Sequence, residues 1–112
     1  GAAIFARGEG MWYDNNIVYF TCTSGGSKNL GQIWKIDTDN QTLEMMFESQ
    51  NSDVMKMCDN MTIAPWGDVV ICEDGKGQDR LIGLKPNGKN IKLRKRTLLY
   101  TNENIRYKLF KP

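Results

Sequence analysis

Two stretches of the chain, residues 9–25 and 59–75, follow one pattern of short apolar strands separated by turn residues. At an offset of ~50 residues, Cys22 coincides with Cys72, and the residues around them align as well. A repeat of this length made of short strands is typical of propeller blades and related β arrays. The repeat therefore predicts a fold built from similar sheets in succession.

The apolar residues occur in short runs between Gly, Asn, Asp and Pro, which indicates an all-β chain. Asp14-Asn15-Asn16 and Pro65-Trp66-Gly67 are predicted turns between the first and second strands of the two repeats. Trp12, Trp34 and Trp66 are expected to pack between the sheets. Eight strands are predicted in two sets, at residues 10–13, 17–22, 32–37 and 43–48, and at residues 61–64, 69–72, 80–85 and 91–94.

The predicted fold class is all-β, with about two four-stranded antiparallel blades of a β-propeller, incomplete as a single chain. Residues 9–48 form the first blade-like repeat, residues 59–94 the second, and residues 95–112 a basic C-terminal segment. Known propellers close with roughly four to eight blades. We therefore expect this chain, which does not begin with Met, to be a fragment. The remaining blades would come from the parent chain or from homo-oligomerisation.

Several function classes are excluded by composition. The formal net charge of +2 is too small to indicate a nucleic-acid partner, and no apolar run approaches the length of a membrane span. The chain has no histidine, so it contains neither a Ser-His triad nor a His-ligated zinc ion. Its three cysteines lack CxxC spacing, which argues against a zinc site or a disulfide framework.

Acidic residues recur where the first strand of each repeat begins and the second ends. Because two hairpin strands start and finish at the same edge, Glu9, Asp59, Glu73 and Asp74 are expected to converge there. Asn60 would add an amide oxygen. Oxygen donors select hard cations such as Ca²⁺ or Mg²⁺. The alternative is that these residues only end strands on a solvated rim, and the sequence leaves both readings open.

Four motifs together resemble the PhoX-type alkaline phosphatase family, over about residues 4–93. They are Arg7-Gly8-Glu9-Gly10, Gly31-Gln32-Ile33-Trp34, the block of residues 59–67, and Cys72-Glu73-Asp74-Gly75. Members of that family are bacterial β-propeller phosphomonoesterases, usually exported, that use calcium and iron. The resemblance implies the same fold and activity for the parent of this chain.

The resemblance also implies roles for single residues. Glu9, Asp59 and Glu73 fall on acidic motif positions that supply metal ligands in the family, with Asn60 and Asp74 as companions. The implied cofactors are Ca²⁺ and, in the complete protein, iron. The family enzyme is several times longer, and its cysteine ligand to iron lies upstream of the matching segment. We therefore expect the chain alone to be inactive.

The sequence accordingly predicts a segment of a metal-dependent phosphomonoesterase that supplies carboxylate metal ligands. The substrate of the complete protein would be a phosphomonoester, and its location periplasmic or extracellular. No nucleic-acid partner and no membrane span are expected. The alternative is a non-catalytic calcium-binding β-propeller interaction module, and a third possibility is a scaffold whose acidic residues bind nothing.

Overall fold

In a computed structural model, the chain folds into two four-stranded antiparallel sheets, each with its strands in sequence order. The structure describes residues 1–87, 90–91, 100–101 and 104–105. Sheet one consists of β1 (Gly8–Asp14), β2 (Ile17–Cys22), β3 (Gln32–Asp37) and β4 (Thr42–Glu48). Sheet two consists of β5 (Cys58–Ile63), β6 (Val69–Glu73), β7 (Leu81–Leu84) and β8 (Asn90–Ile91). A short hairpin pairs β9 (Tyr100–Thr101) with β10 (Asn104–Ile105).

The predicted all-β class is confirmed, since both sheets are blade-like meanders and together they do not close a propeller. The predicted strands match the observed ones closely through β7. Of the eighth predicted strand, residues 92–94 lie outside the described residues. So does most of the basic segment 95–112, apart from β9 and β10. None of the residues that the structure describes belongs to a helix able to cross a membrane.

The two first hairpins differ in turn length. Asn15 and Asn16 form a two-residue turn with φ of 48° and 64°, the left-handed pair that matches the twist of a hairpin. In sheet two the turn is one residue longer. It consists of residues 65–67, and Ala64 N donates to Asp68 O at 2.8 Å across it. Gly67 supplies the positive φ of 96° that this turn requires.

The extra turn residue changes which positions correspond in the two sheets. Gly8 pairs with Cys22 at the edge of sheet one, and Cys58 pairs with Glu73 at the same edge of sheet two. In both hairpins a bulge follows directly. Glu73, not Cys72, therefore takes the place of Cys22. The alignment of the two cysteines at a constant offset is wrong by one residue after the turn.

The hydrophobic core lies where one face of sheet one packs on one face of sheet two, with β5 against β1 and β2. Trp12 and Trp66 are 44% and 54% exposed, so the prediction that they pack between the sheets is wrong. Trp34 is half-buried and stacks on Phe20 on the opposite face of sheet one. The core residues are Ile33, Met46, Met55, Cys58, Met61, Val69, Ile71, Ile82 and Leu84.

Candidate functional site

Two of the sequence-predicted acidic residues lie in matching β-bulges. Glu9 falls in the irregular stretch between Gly8 and Met11, and Asp59 falls in the one between Cys58 and Met61. A bulge leaves a residue unpaired and turns its side chain away from the regular alternation of the strand. The bulges thus place both carboxylates at the edge where the two sheets meet.

The sheets approach most closely beside these bulges. A Cβ atom on Gly10 would lie 2.5 Å from Asp59 O and 2.8 Å from Asn60 Cα, so only glycine fits there. The buried Thr21 hydroxyl joins the two sheets at the same place, since it accepts from Gly10 N at 2.8 Å and donates to Asp59 O at 2.6 Å. The backbones that carry Glu9 and Asp59 are therefore held together by direct contact.

The charges at this edge repel one another. Burial raises the pKa of Asp59, and the nearby carboxylates of Glu9 and Asp74 raise it further, whereas Arg7 lowers it. A carboxyl group in such surroundings is less stable when ionised, unless a cation lies beside it. Glu9, Asp59 and Asp74 thus form one electrostatic group, which we call the acidic edge.

Arg7 is the cation that the structure places at the acidic edge. Its guanidinium lies 3.5 Å from Glu9 Oε1, in a pair with 56% and 40% of the side chains exposed. An exposed pair of this kind is weak, so the guanidinium is available to other anions. The Arg7 backbone is fixed, because its carbonyl accepts a hydrogen bond from Thr23 N at 2.9 Å.

Glu73 has different surroundings from the acidic edge, although the sequence grouped it there. Its side chain is fully buried, and it forms an ion pair with Arg80 at 2.7 Å. Both oxygens accept two hydrogen bonds each, three of the four from Arg80 and one from Lys56 N. All of the acceptor positions of this carboxylate are therefore occupied by protein donors.

Asn60 lies next to Asp59 and, like Asp74 of the acidic edge, is exposed. The Asn60 side-chain oxygen accepts from Met61 N at 2.9 Å, which orients the amide locally. The backbone of Asp74 donates to Met57 O at 2.9 Å, which ties the end of β6 to the segment before β5.

Carboxylate and amide oxygens suit a hard cation, so the donor chemistry of this edge fits Ca²⁺ or Mg²⁺. Within the part of the chain that the structure describes, no three His, Cys, Asp or Glu side chains converge closely enough to hold a metal ion. The acidic edge is thus a partial set of donors, and a complete site needs further ligands.

Sequence reasoning missed the residues that hold the edge together. Arg7 stands in the quoted motif with Glu9, but only the structure shows the ion pair between them. Thr21 reads as an ordinary strand residue, since contacts between sheets leave no local pattern. Gly10, in contrast, is a residue type that allows close backbone approach, and the structure shows that approach. Arg80 lies seven positions after Glu73, across a loop whose course the sequence does not specify.

The fold and the edge define a class of protein: an all-β chain of blade-like sheets with oxygen donors where neighbouring sheets meet. Comparison with known families identifies the particular family: the one described as alkaline phosphatase PhoX matches residues 1–111. The chain belongs to that family. No curated protein and no solved structure gave a significant match. Family membership suggests an alkaline-phosphatase-like, metal-dependent function and a phosphomonoester substrate.

Proposed function

We propose that this chain is a segment of a metal-dependent phosphomonoesterase, to which Glu9 and Asp59 contribute carboxylate ligands and Asn60 and Asp74 further oxygens. The observation that carries the proposal is that Asp59 is partly buried beside the carboxylates of Glu9 and Asp74, and that both burial and these neighbours disfavour its ionised form. A divalent cation would relieve this repulsion. Membership of a metal-dependent phosphatase family supports a functional role for that cation.

The proposed cofactor at the acidic edge is Ca²⁺, with iron in the complete protein, as the family resemblance implies. Such ions, when bound, polarise the phosphoryl oxygens and neutralise charge that develops during phosphoryl transfer. The resemblance also gives Glu73 as a ligand. That role stays a prediction, and the hydrogen bonds of Glu73 bear on it below.

Among the residues that the structure describes, Arg7 lies beside the acidic edge, and we propose it as a ligand to the phosphate. A guanidinium presents parallel N–H donors that match two oxygens of a phosphate group. Its exposed partner Glu9 leaves it free to turn toward a substrate. In this proposal Glu9 holds metal, and Arg7 orients the phosphomonoester for attack.

The metal proposal is tested by thermal unfolding with and without CaCl₂. An ion that binds only the folded chain raises its melting temperature by mass action. We expect Asp59→Asn to abolish the shift. Asp68→Asn is the matched control, because Asp68 lies at the far end of the same hairpin and accepts from the Trp66 indole at 2.6 Å. A wild-type shift in Asp59→Asn would contradict the site.

A non-catalytic calcium-binding module is the second candidate. It rests on the same acidic edge, since the repulsion of Asp59 by Glu9 and Asp74 favours a bound cation whether or not catalysis follows. Hydrolysis of p-nitrophenyl phosphate by the complete parent protein, supplied with Ca²⁺ and iron, separates the two. Turnover that is lost on chelation supports the phosphatase, and calcium binding without turnover supports the module.

The parts of the protein are proposed as follows. Residues 9–48 and 59–94 would be neighbouring blades, and residues 95–112 a basic segment. The face of sheet one that points away from sheet two bears an apolar cavity of about 430 Å³, lined by Phe5, Phe20, Ile36 and Leu43 among others. This open face supports the proposal that further blades, from the parent chain or from other copies, complete the propeller. The location would be periplasmic or extracellular.

A further inference from the structure

The ion pair between Glu73 and Arg80 has no counterpart in sheet one. By strand register, Cys22 takes the place of Glu73, and Gln32, its partner in β3, takes the place of Arg80. Sheet one thus forms the same ladder with an uncharged pair at this edge. The charged pair in sheet two is therefore not needed to build a sheet of this kind.

Arg80 is attached to more than the carboxylate. Its guanidinium also donates to Asp53 O at 2.5 Å and to Ser52 O at 2.7 Å. Glu73 in turn accepts from Lys56 N at 2.9 Å. The pair thus binds three backbone groups of the segment that leads into β5.

The same pair adjoins two members of the acidic edge along the chain. Cys58 is opposite Glu73 in the ladder, so Asp59 and Asp74 each follow directly after one of these two partners. The hydrogen bond from Asp74 N to Met57 O at 2.9 Å joins the two backbone stretches again. The backbone that carries both carboxylates is therefore directly continuous with the residues that the ion pair holds.

We propose that Glu73 is a positioning residue that acts through Arg80 to set Asp59 and Asp74 for a divalent cation, and that it does not bind the cation itself. Four hydrogen bonds already fill its acceptor positions, so a cation could reach it only by displacing a bidentate guanidinium from a buried site. The inference rests on the metal site proposed above, but it assigns Glu73 a different role from ligation.

The two roles predict opposite results for Arg80→Gln in the full chain, with Ca²⁺ affinity measured by calorimetry. If Glu73 binds the ion, removal of Arg80 frees its carboxylate, and the affinity stays the same or rises. If Glu73 positions the edge, the affinity falls by about 10- to 100-fold, as is usual when a group that orients metal ligands is lost. Glu73→Gln should then cause a similar loss, and the double variant no more than either single one.

Two further variants make the result interpretable. Arg80→Lys keeps the charge but loses the two-pronged geometry, and it replaces Arg80→Gln if far-ultraviolet circular dichroism shows that the latter is unfolded. Glu44→Gln removes the exposed carboxylate of the Lys35–Glu44 pair in sheet one, which measures 3.3 Å, and should leave Ca²⁺ affinity unchanged.

Each outcome decides between the roles. Wild-type or higher affinity in the folded Arg80 variant, together with loss of binding in Glu73→Gln, would overturn the inference and make Glu73 a ligand. Unchanged affinity in both would show that the pair serves only stability, which also overturns it. No binding of Ca²⁺ by the unsubstituted chain is a different failure, since it removes the proposed metal site and the inference with it.

Discussion

Corresponding positions in the two sheets have opposite surroundings on one face. Met61 and Ile71 of sheet two pack against sheet one and are 4% and 0% exposed. By register their counterparts are Met11, which is 66% exposed, and Phe20, which is half-buried and contacts the ring of Phe5 at 5.2 Å. The same face is therefore covered in sheet two and open in sheet one.

The comparison separates what builds a sheet from what is particular to one position. Both sheets keep strand order, edge bulge and apolar faces, so these features belong to the architecture. Among the differences, Gly10 stands where sheet two has Asn60, and Cys22 stands where sheet two has Glu73. Both differences lie at the edge where the sheets meet, beside the acidic edge.

The largest effect on stability is expected when a buried side chain is truncated on the covered face and compared with its counterpart on the open face. Leu84 is fully buried, and its counterpart in sheet one is the half-buried Ile36. Leu84→Ala should lower the free energy of unfolding by about 2–5 kcal/mol, because it leaves a cavity between the sheets. Ile36→Ala should cost clearly less, since its side chain already faces a cavity.

Urea unfolding of both variants measures this difference through the transition midpoints at equal m-values. Equal losses would mean that the face of sheet one is covered in solution, for example by another copy of the chain. In that case the cost of Ile36→Ala should also depend on protein concentration.

A second comparison concerns the two glycines of β1. Gly10→Ala puts a methyl group within 3.1 Å of three backbone atoms of Asp59 and Asn60, so the sheets must separate. We expect a loss of about 1–3 kcal/mol, the usual cost of overpacking. Gly8→Ala is the control, because its Cβ would meet nothing within 4 Å. Thermal unfolding checks the pair, and a neutral Gly10→Ala would contradict the close approach of the sheets.

A third comparison uses two buried threonines that adjoin Cys22. Thr21→Val leaves Gly10 N and Asp59 O without the hydroxyl that joins them, at a cost of roughly 1–2 kcal/mol. The Thr23 hydroxyl is buried without a hydrogen-bond partner among the described residues, so Thr23→Val should be neutral or slightly stabilising. Denaturant titration of both variants gives the difference, and a larger loss in Thr23→Val would reverse the assignment.

The sequence was sufficient for the strands because their signals are local. Asn15-Asn16 and Gly67 mark turns, and the apolar runs between them mark strands, as the structure confirms. It was insufficient for the edge, because the roles of Thr21 and Arg80 come from contacts between distant segments. The error of one residue at Cys72 has the same origin, since a turn of three residues instead of two shifts everything after it.

The smallest effect is expected in the thiol reactivity of Cys22 and Cys72, the two cysteines that the constant offset aligned with each other. Cys22 is fully buried and Cys72 is half-buried, as expected if the two are not counterparts. Burial raises the pKa of both thiols, and it raises that of Cys58 to about 12. At pH 8 only about one Cys58 thiol in 10⁴ is ionised, and the thiolate is the reactive form.

Native protein treated with a disulfide reagent such as DTNB at pH 8 should therefore react at Cys72 first, with Cys22 and Cys58 protected until urea exposes them. Cys72→Ser should remove the fast phase and leave the slow ones unchanged. Raising the pH by one unit should speed the reaction of Cys72 in the native protein by up to about tenfold, because burial raises the pKa of that thiol above its ordinary value. Equal rates for Cys22 and Cys72 in the native protein would contradict the difference in burial between the two thiols.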